Sequence, residues 1–135
     1  MVMKHYAFSL IFLISFFSCS LSEKEKLKQL EEQVLTQHDA VMSQMDKINQ
    51  RQRKLKAYLQ KADSTHMDTK LIQNQITDLR KADAAMMNWM HQYKNPADLS
   101  PENASIYLED QLFKINQVKK QVTSALANTE KNTFK

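Results

Sequence analysis

Apolar residues recur along the first half of the chain at spacings of three, four and seven positions. This pattern predicts a long amphipathic helix at about residues 23–62. Its stripe consists of Leu27, Leu30, Val34, His38, Val41, Met45, Ile48, Leu55 and Leu59. A subset from Leu27 to Leu55 keeps a strict seven-residue spacing, as in the seam of a coiled coil. The helix is therefore expected to bury one side and to leave the other, rich in Lys, Gln, Glu and Arg, in water.

Two further helices are predicted at about residues 66–94 and 101–127. The second has the inner stripe Ile72, Ile76, Leu79, Met86, Met90 and Tyr93, and the third has Leu108, Leu112, Ile115, Val118, Val122 and Ala125. The residue before Pro96 avoids helical geometry, which ends the second helix, and Ser100 with Pro101 begins the third.

Short links make neighbouring helices antiparallel, so the predicted fold is all-α. It is an up-down-up three-helix bundle or coiled coil over residues 23–127, with the longer first helix as a membrane-proximal stalk. Residues 128–135 continue no stripe and are expected to fray.

The N-terminal segment resembles a secretion signal that ends at the only cysteine of the chain, Cys19. After a short positive start, Tyr6–Phe17 form an apolar run that is too short to cross a hydrocarbon core about 30 Å thick as a helix. The small Ser18 directly before Cys19 resembles a lipoprotein processing site. We predict a signal peptide at residues 1–18, lipidation of Cys19 and a tether at residues 19–22. The alternatives are a plain signal peptide with an incidental cysteine, or an uncleaved anchor.

Composition removes several classes of function. The 135 residues include no glycine, which excludes Gly-rich phosphate loops, dinucleotide fingerprints and glycine-flanked nucleophile elbows. No arrangement typical of hydrolytic catalysis stands out, so we predict that the chain is not an enzyme. The net charge of +4 is too small to indicate a nucleic-acid partner, and the basic run from Lys47 to Lys61 is typical of a solvated helix face.

Methionine and histidine concentrate in two segments that a helical hairpin would bring to one level. The candidate ligands for a soft metal are His38, Met42, Met45, Met86, Met90 and His91, with Met87 in reserve. Thioether and neutral imidazole together suit copper(I). Methionine also fills irregular helix cores or forms adaptable protein-binding faces, and these interpretations stay open.

Ser64, in the sequence Asp63-Ser64-Thr65, resembles the acceptor pattern for protein O-glycosylation in Bacteroidota. The alternative is a turn in which Thr65 caps the second helix.

The segments His38–Met42 and Lys81–His91, behind a signal-anchored cysteine, resemble a group of small Bacteroidota lipoproteins that carry the label viral A-type inclusion protein-like. The resemblance covers most of the chain after Cys19. It implies lipid anchoring and helical structure, but no substrate or ligand.

We therefore expect a non-enzymatic helical lipoprotein of the cell envelope that acts as a protein-interaction or structural module. Lipidated Cys19 would hold it to a membrane, with the outer membrane favoured over the inner one. Its partner would be an envelope protein or a second copy in a homodimer. The alternative function is binding of copper(I) or another soft metal.

Overall fold

The computed structural model describes residues 22–61 and 69–132, and these ranges contain three long α-helices and no strand. The elements are α1 (Glu23–Lys61), α2 (Thr69–Gln92), a single 3-10 turn (Pro96–Asp98) and α3 (Pro101–Asn132). The all-α prediction is confirmed, and α1 is the longest helix with 39 residues. None of the described helices is both long and apolar enough to cross a bilayer.

Contacts between helices show the up-down-up order. These contacts join Gln37 to Lys119, Arg51 to Glu130, Gln75 to Asn128, and Tyr93 to Tyr107. The first two pairs ascend together along α1 and α3, so these helices are parallel. The last two pairs run in opposite order along α2 and α3, so α2 is antiparallel to both. We call the end with the start of α1 and the α2–α3 link the connector end, and the opposite end the far end.

The core follows the predicted apolar stripes over most of its length. It consists of Val34, Val41, Met45, Ile48, Leu55, Ile72, Ile76, Leu79, Ala82, Met86, Trp89, Leu108, Ile115, Val118, Val122 and Ala125. Burial of these side chains is the main favourable contribution to the fold, at about 25 cal/mol for each Å² of apolar surface removed from water. Trp89 and Ala82 belong to this core although the predicted stripe of α2 contained neither.

The helix ends at the connector end have local caps. Ser22 accepts the backbone N–H of Glu25 through both its carbonyl and its hydroxyl oxygen, at 2.9 and 3.3 Å. Asn95 accepts the N–H of Ala97 at 2.9 Å and so fixes the 3-10 turn. The hydroxyl of Ser100 accepts the N–H of Asn103 at 3.4 Å ahead of the first turn of α3. The predicted break at Asn95–Pro96 and the start of α3 at Pro101 are thus confirmed.

The C-terminal end of α3 differs from the prediction. The helix continues to Asn132, past the expected end at residue 127. Thr129 is completely buried, and Gln75 of α2 donates a hydrogen bond of 2.8 Å to the carbonyl oxygen of Asn128. Both other helices contact this last part of α3, since Arg51 of α1 lies 3.6 Å from Glu130. Tertiary contacts to polar residues therefore extend a helix that its apolar stripe alone would end earlier.

The first turns of α1 pack against the bundle and do not project from it as a free stalk would. Leu27 and Leu30 are half-buried against the core. Leu27 shares a shallow groove with Pro96 and Leu108, which belong to the α2–α3 link and to α3. The link therefore lies beside Leu27, and α1 is in contact with the rest of the bundle from its second turn onward.

Polar residues occupy core positions in all three helices. Gln52, Gln75 and Gln111 are buried, one in each helix, together with Thr129. The amide of Gln111 donates to the neighbouring Asp110 at 3.2 Å. A buried amide without a partner is costly, so such residues favour one packing arrangement over its alternatives.

Candidate functional site

The predicted metal-ligand residues do not share one environment. Met45 and Met86 lie in the closed core, with 9% and 0% of their surface exposed. Met42 and His91 are exposed, whereas His38 and Met90 are half-buried. Met45 and Met86 thus interleave with apolar core residues, as structural methionines do. The reserve candidate Met87 is exposed on α2.

Two other predicted sites, the lipidation site Cys19 and the glycosylation candidate Ser64, lie outside the described residues. Within the ranges 22–61 and 69–132, no three His, Cys, Asp or Glu side chains are grouped so that they could hold a metal ion.

His38 is the best-positioned histidine of the candidate set. Its Nδ1 lies 2.9 Å from Oδ1 of Asp39, and about a quarter of its side chain is exposed. In the neutral imidazole, an Nδ1–H that donates to this carboxylate leaves Nε2 as the free acceptor nitrogen. The His38 ring also lies 5.7 Å from the ring of Trp89 on α2. His38 therefore combines a fixed orientation with partial access to solvent.

An aromatic ladder extends from His38 across the connector end. Trp89 stacks on Tyr93 with 5.0 Å between ring centroids, and Tyr93 lies 6.2 Å from Tyr107 of α3. The Tyr107 hydroxyl accepts the backbone N–H of Lys94 at 2.7 Å, which holds the start of the α2–α3 link against α3. The ladder connects all three helices at one level.

Two polar atoms inside the ladder have no hydrogen-bond partner among the described residues. They are Nε1 of Trp89 and the hydroxyl oxygen of Tyr93. Burial raises the pKa of the Tyr93 phenol above its ordinary value of 10.0, and the nearby Glu31 and Tyr107 add to the rise. The ladder is therefore a mostly apolar environment that disfavours new negative charge.

The outer surface of α3 carries a second feature that the sequence stripes did not indicate. Ile106 and Phe113 are 61% and 63% exposed, the largest exposures among the large apolar residues of the described chain. They lie seven residues apart, so they occupy the same face of α3 about 10 Å from each other. We call this pair the α3 stripe.

Acidic residues flank the α3 stripe. From residue 97 to residue 113 the sequence has four acidic residues and no lysine or arginine. Of these, Glu102, Glu109 and Asp110 lie on the exposed surface of α3 itself. Asp110 forms an ion pair of 2.6 Å with Lys114, so the net negative charge beside the stripe comes from Glu102 and Glu109.

A second exposed apolar pair lies on α1. Leu35 and Met42 are also seven residues apart and are 44% and 41% exposed. Unlike the α3 stripe, this pair belongs to a helix face next to the packed interface, and each side chain is covered by more than half. It offers a matched comparison for the α3 stripe.

A scan of protein-family models and searches of curated proteins and of solved structures found no match to this chain. The functional interpretation therefore depends on the residues and on the geometry described above.

Proposed function

We propose that this chain is a non-enzymatic helical module, held at a membrane of the cell envelope by lipidated Cys19, that binds a helical segment of a partner protein. The observation that carries this proposal is the exposure of Ile106 and Phe113 on the outer face of α3. Large apolar side chains that stand exposed at helical spacing are typical of surfaces that bind another amphipathic helix.

The chemistry of the α3 stripe defines the partner more closely. Two apolar residues at a seven-residue interval match the spacing at which a second helix presents its own apolar residues. The flanking Glu102 and Glu109 favour a partner helix with lysine or arginine beside its apolar stripe. Such charges guide the encounter and exclude acidic competitors, while the apolar contacts supply the affinity.

The anchor part of the proposal has its own support in the sequence. An apolar run too short to span a bilayer, followed by a small residue and the single cysteine, is typical of a lipoprotein signal. Metabolic labelling of the chain with palmitate, compared with the Cys19→Ser variant, tests it. Label that depends on Cys19 is expected, and equal label in both forms would contradict the anchor.

A photo-crosslinking residue at position 106 of the full chain, in the cells that make it, tests the partner. We expect a discrete crosslinked protein species whose yield falls at least several-fold when Phe113 is changed to Ser. The matched control carries the crosslinker at position 35 and the Met42→Ser change, which has the same spacing on α1. Equal crosslinking of the same partner from both helices would contradict a specific α3 site.

Size-exclusion chromatography with light scattering distinguishes a second copy from a different partner. If the full chain is dimeric in detergent and Phe113→Ser makes it monomeric, then the partner is the chain itself.

A second candidate function, soft-metal binding, is favoured by one specific observation. Oδ1 of Asp39 lies 2.9 Å from Nδ1 of His38, and with the proton on Nδ1 the Nε2 atom is free to bind a metal, which is the usual arrangement for a metal-ligating histidine. Met42 is exposed and Met90 is half-buried, so these two thioethers are the accessible members of the predicted set.

An anaerobic copper(I) competition titration of the full chain tests this second function. His38→Ala and Met90→Leu are expected to abolish stoichiometric binding, whereas Met45→Leu, a change inside the core, is expected to retain it. Absence of stoichiometric binding in the unchanged chain would eliminate the metal function and would leave the partner proposal intact.

A further inference from the structure

A groove of about 390 Å³ lies at the far end of the bundle, remote from the α3 stripe and from the aromatic ladder. Its volume falls within the range of about 300–1,000 Å³ that is typical of small-molecule sites. The final turns of α1 form most of its lining, and Thr129 of α3 contributes the remainder among the described residues.

The floor of this far-end groove is apolar. Leu55 and Thr129 are buried beneath it, and Ala57 and Tyr58 form its walls. Tyr58 is 46% exposed, so its ring presents an open apolar face to a ligand. A floor of this kind gains free energy by covering an alkyl chain or a ring, since contact removes apolar surface from water.

Three cations surround the floor. Arg51, Lys54 and Lys61 line the groove, and the sequence from Lys47 to Lys61 contains no acidic residue. Arg51, whose side chain is 29% exposed, forms an ion pair of 3.6 Å with Glu130, which is two-thirds exposed. An ion pair of this length with an exposed carboxylate contributes little to stability, so an incoming anion can replace Glu130 at small cost.

An apolar floor with a cationic rim matches a ligand that has both an apolar chain and a negatively charged group. We propose that the far-end groove binds a free single-chain anionic amphiphile of the fatty-acid class. Its carboxylate contacts Arg51 and Lys54 at the rim, and its alkyl chain lies over Leu55 and Tyr58. A guanidinium binds a carboxylate through two parallel N–H donors, which favours Arg51 as the primary contact. A neutral hydrophobic ligand would leave the cations unused, and a small polar anion would leave the floor in water.

Isothermal titration of the full chain with laurate, below the concentration at which laurate forms micelles, tests the proposal. We expect saturable binding with one laurate per chain at the groove. The double variant Arg51→Gln/Lys54→Gln is expected to weaken it by about tenfold or more, because the charge-assisted hydrogen bonds to the carboxylate are lost.

The matched control is Arg53→Gln/Lys56→Gln. It removes the same charge from the same helix at the same spacing, but neither residue lines the groove. We expect it to bind laurate as the unchanged chain does. If both double variants weaken binding equally, then the effect is one of net charge and the proposal is wrong.

A variant that is expected to bind laurate more tightly provides a test that does not depend on the loss of binding. Glu130→Gln frees Arg51 from its exposed partner, and tighter laurate binding is expected. Unchanged or weaker binding in this variant would contradict the assignment of Arg51 to the carboxylate.

Three probes determine the chemical class and the source of the ligand. Dodecanol and inorganic phosphate are each expected to bind far more weakly than laurate, because each supplies only half of the chemistry. Vesicles of phosphatidylglycerol distinguish a membrane surface from a free amphiphile when they are tested with the Cys19→Ser chain, in which the proposed acyl anchor is absent. Equal binding of dodecanol, or binding of vesicles without binding of laurate, would overturn the proposal. None of these results depends on the partner at the α3 stripe.

Discussion

The two ends of the bundle are built from different kinds of side chain. At the connector end, stacked aromatic rings join the three helices, and the outer surface of α3 is acidic with exposed apolar residues. At the far end, the buried amide of Gln75 on α2 bonds to the carbonyl oxygen of Asn128 on α3, and the surface of α1 is basic around an apolar groove. The same helices therefore present two chemically opposite surfaces.

This difference shows how one simple fold can separate two tasks. Aromatic stacking stabilises through large apolar area and tolerates small shifts, whereas a buried amide stabilises only when its bonds are made. The connector end should therefore contribute more stability, and the far end should be more sensitive to the loss of single polar contacts. The changes below test this contrast, beginning with the largest expected effect.

Trp89→Ala removes the central ring of the ladder. We expect a loss of about 3–5 kcal/mol in the free energy of unfolding, because the buried indole leaves a cavity between the helices. Urea denaturation followed by circular dichroism measures it. The comparison at the far end is Tyr58→Ala, an exposed aromatic, for which we expect a loss of less than about 1 kcal/mol. Similar losses in the two variants would contradict the proposed difference between the ends.

Gln75→Ala removes the amide that donates to Asn128. We expect a loss of about 1–2 kcal/mol in unfolding free energy and faster amide hydrogen exchange over the last turns of α3. Thr77→Ala on the same helix is the control, because the hydroxyl of Thr77 donates to the carbonyl oxygen of Gln73 within α2 itself. If exchange at the end of α3 does not change in Gln75→Ala, then other contacts hold this segment.

Tyr93→Phe tests the electrostatic character of the ladder. Since burial raises the pKa of Tyr93 above 10.0, the folded state favours the neutral phenol. Stability is thus unaffected by this group below pH 10 and falls as pH rises above it toward the raised pKa. Between pH about 9 and 11, we expect the free energy of unfolding of Tyr93→Phe to fall less with rising pH than that of the unchanged chain. Tyr58→Phe is the control, and an identical pH dependence in the unchanged chain and in Tyr93→Phe would refute the assignment.

Phe113→Ser should have the smallest effect on the bundle itself. The ring is mostly exposed, so we expect a change within about 0.5 kcal/mol in unfolding free energy. Thermal denaturation measures it. A large loss of stability would show that Phe113 supports the bundle, and its use as a partner contact would then need a different variant.

Most of the fold could be predicted because its core residues are apolar and regularly spaced. The stripe from Val34 to Leu55 and the stripe from Leu108 to Ala125 both lie in the core as expected. The breaks at Pro96 and Pro101 were predictable because proline restricts the backbone in a known way.

Residues whose position depends on a neighbouring helix could not be predicted in this way. Gln75 and Thr129 are polar, so hydropathy assigns them to the surface, yet contacts with other helices bury them. On α2, Asp83 lies four positions after Leu79 of the predicted stripe, but the adjacent Ala82 occupies the core and Asp83 is half-buried. A shift of one position along a helix turns a side chain by about 100°, which sequence spacing alone does not resolve.

The candidate sites could also be predicted only in part, because sequence spacing does not determine contacts between helices. The sequence identified His38 but not its contact with Trp89, because the register of the two helices was only approximate. It did not identify Ile106 and Phe113, since two apolar residues on an otherwise polar helix face are too few to stand out as a stripe. The far-end groove was also missed, because a groove depends on the relative position of two helices rather than on one.

Trp89 is the only tryptophan of the chain, and it is buried in the ladder beside His38. The protein therefore contains an intrinsic fluorescent reporter at one end. Emission from this indole should be quenched by copper(I) at His38 but should stay constant while laurate fills the groove at the other end. A single cuvette can thus report which of the two ends has been occupied.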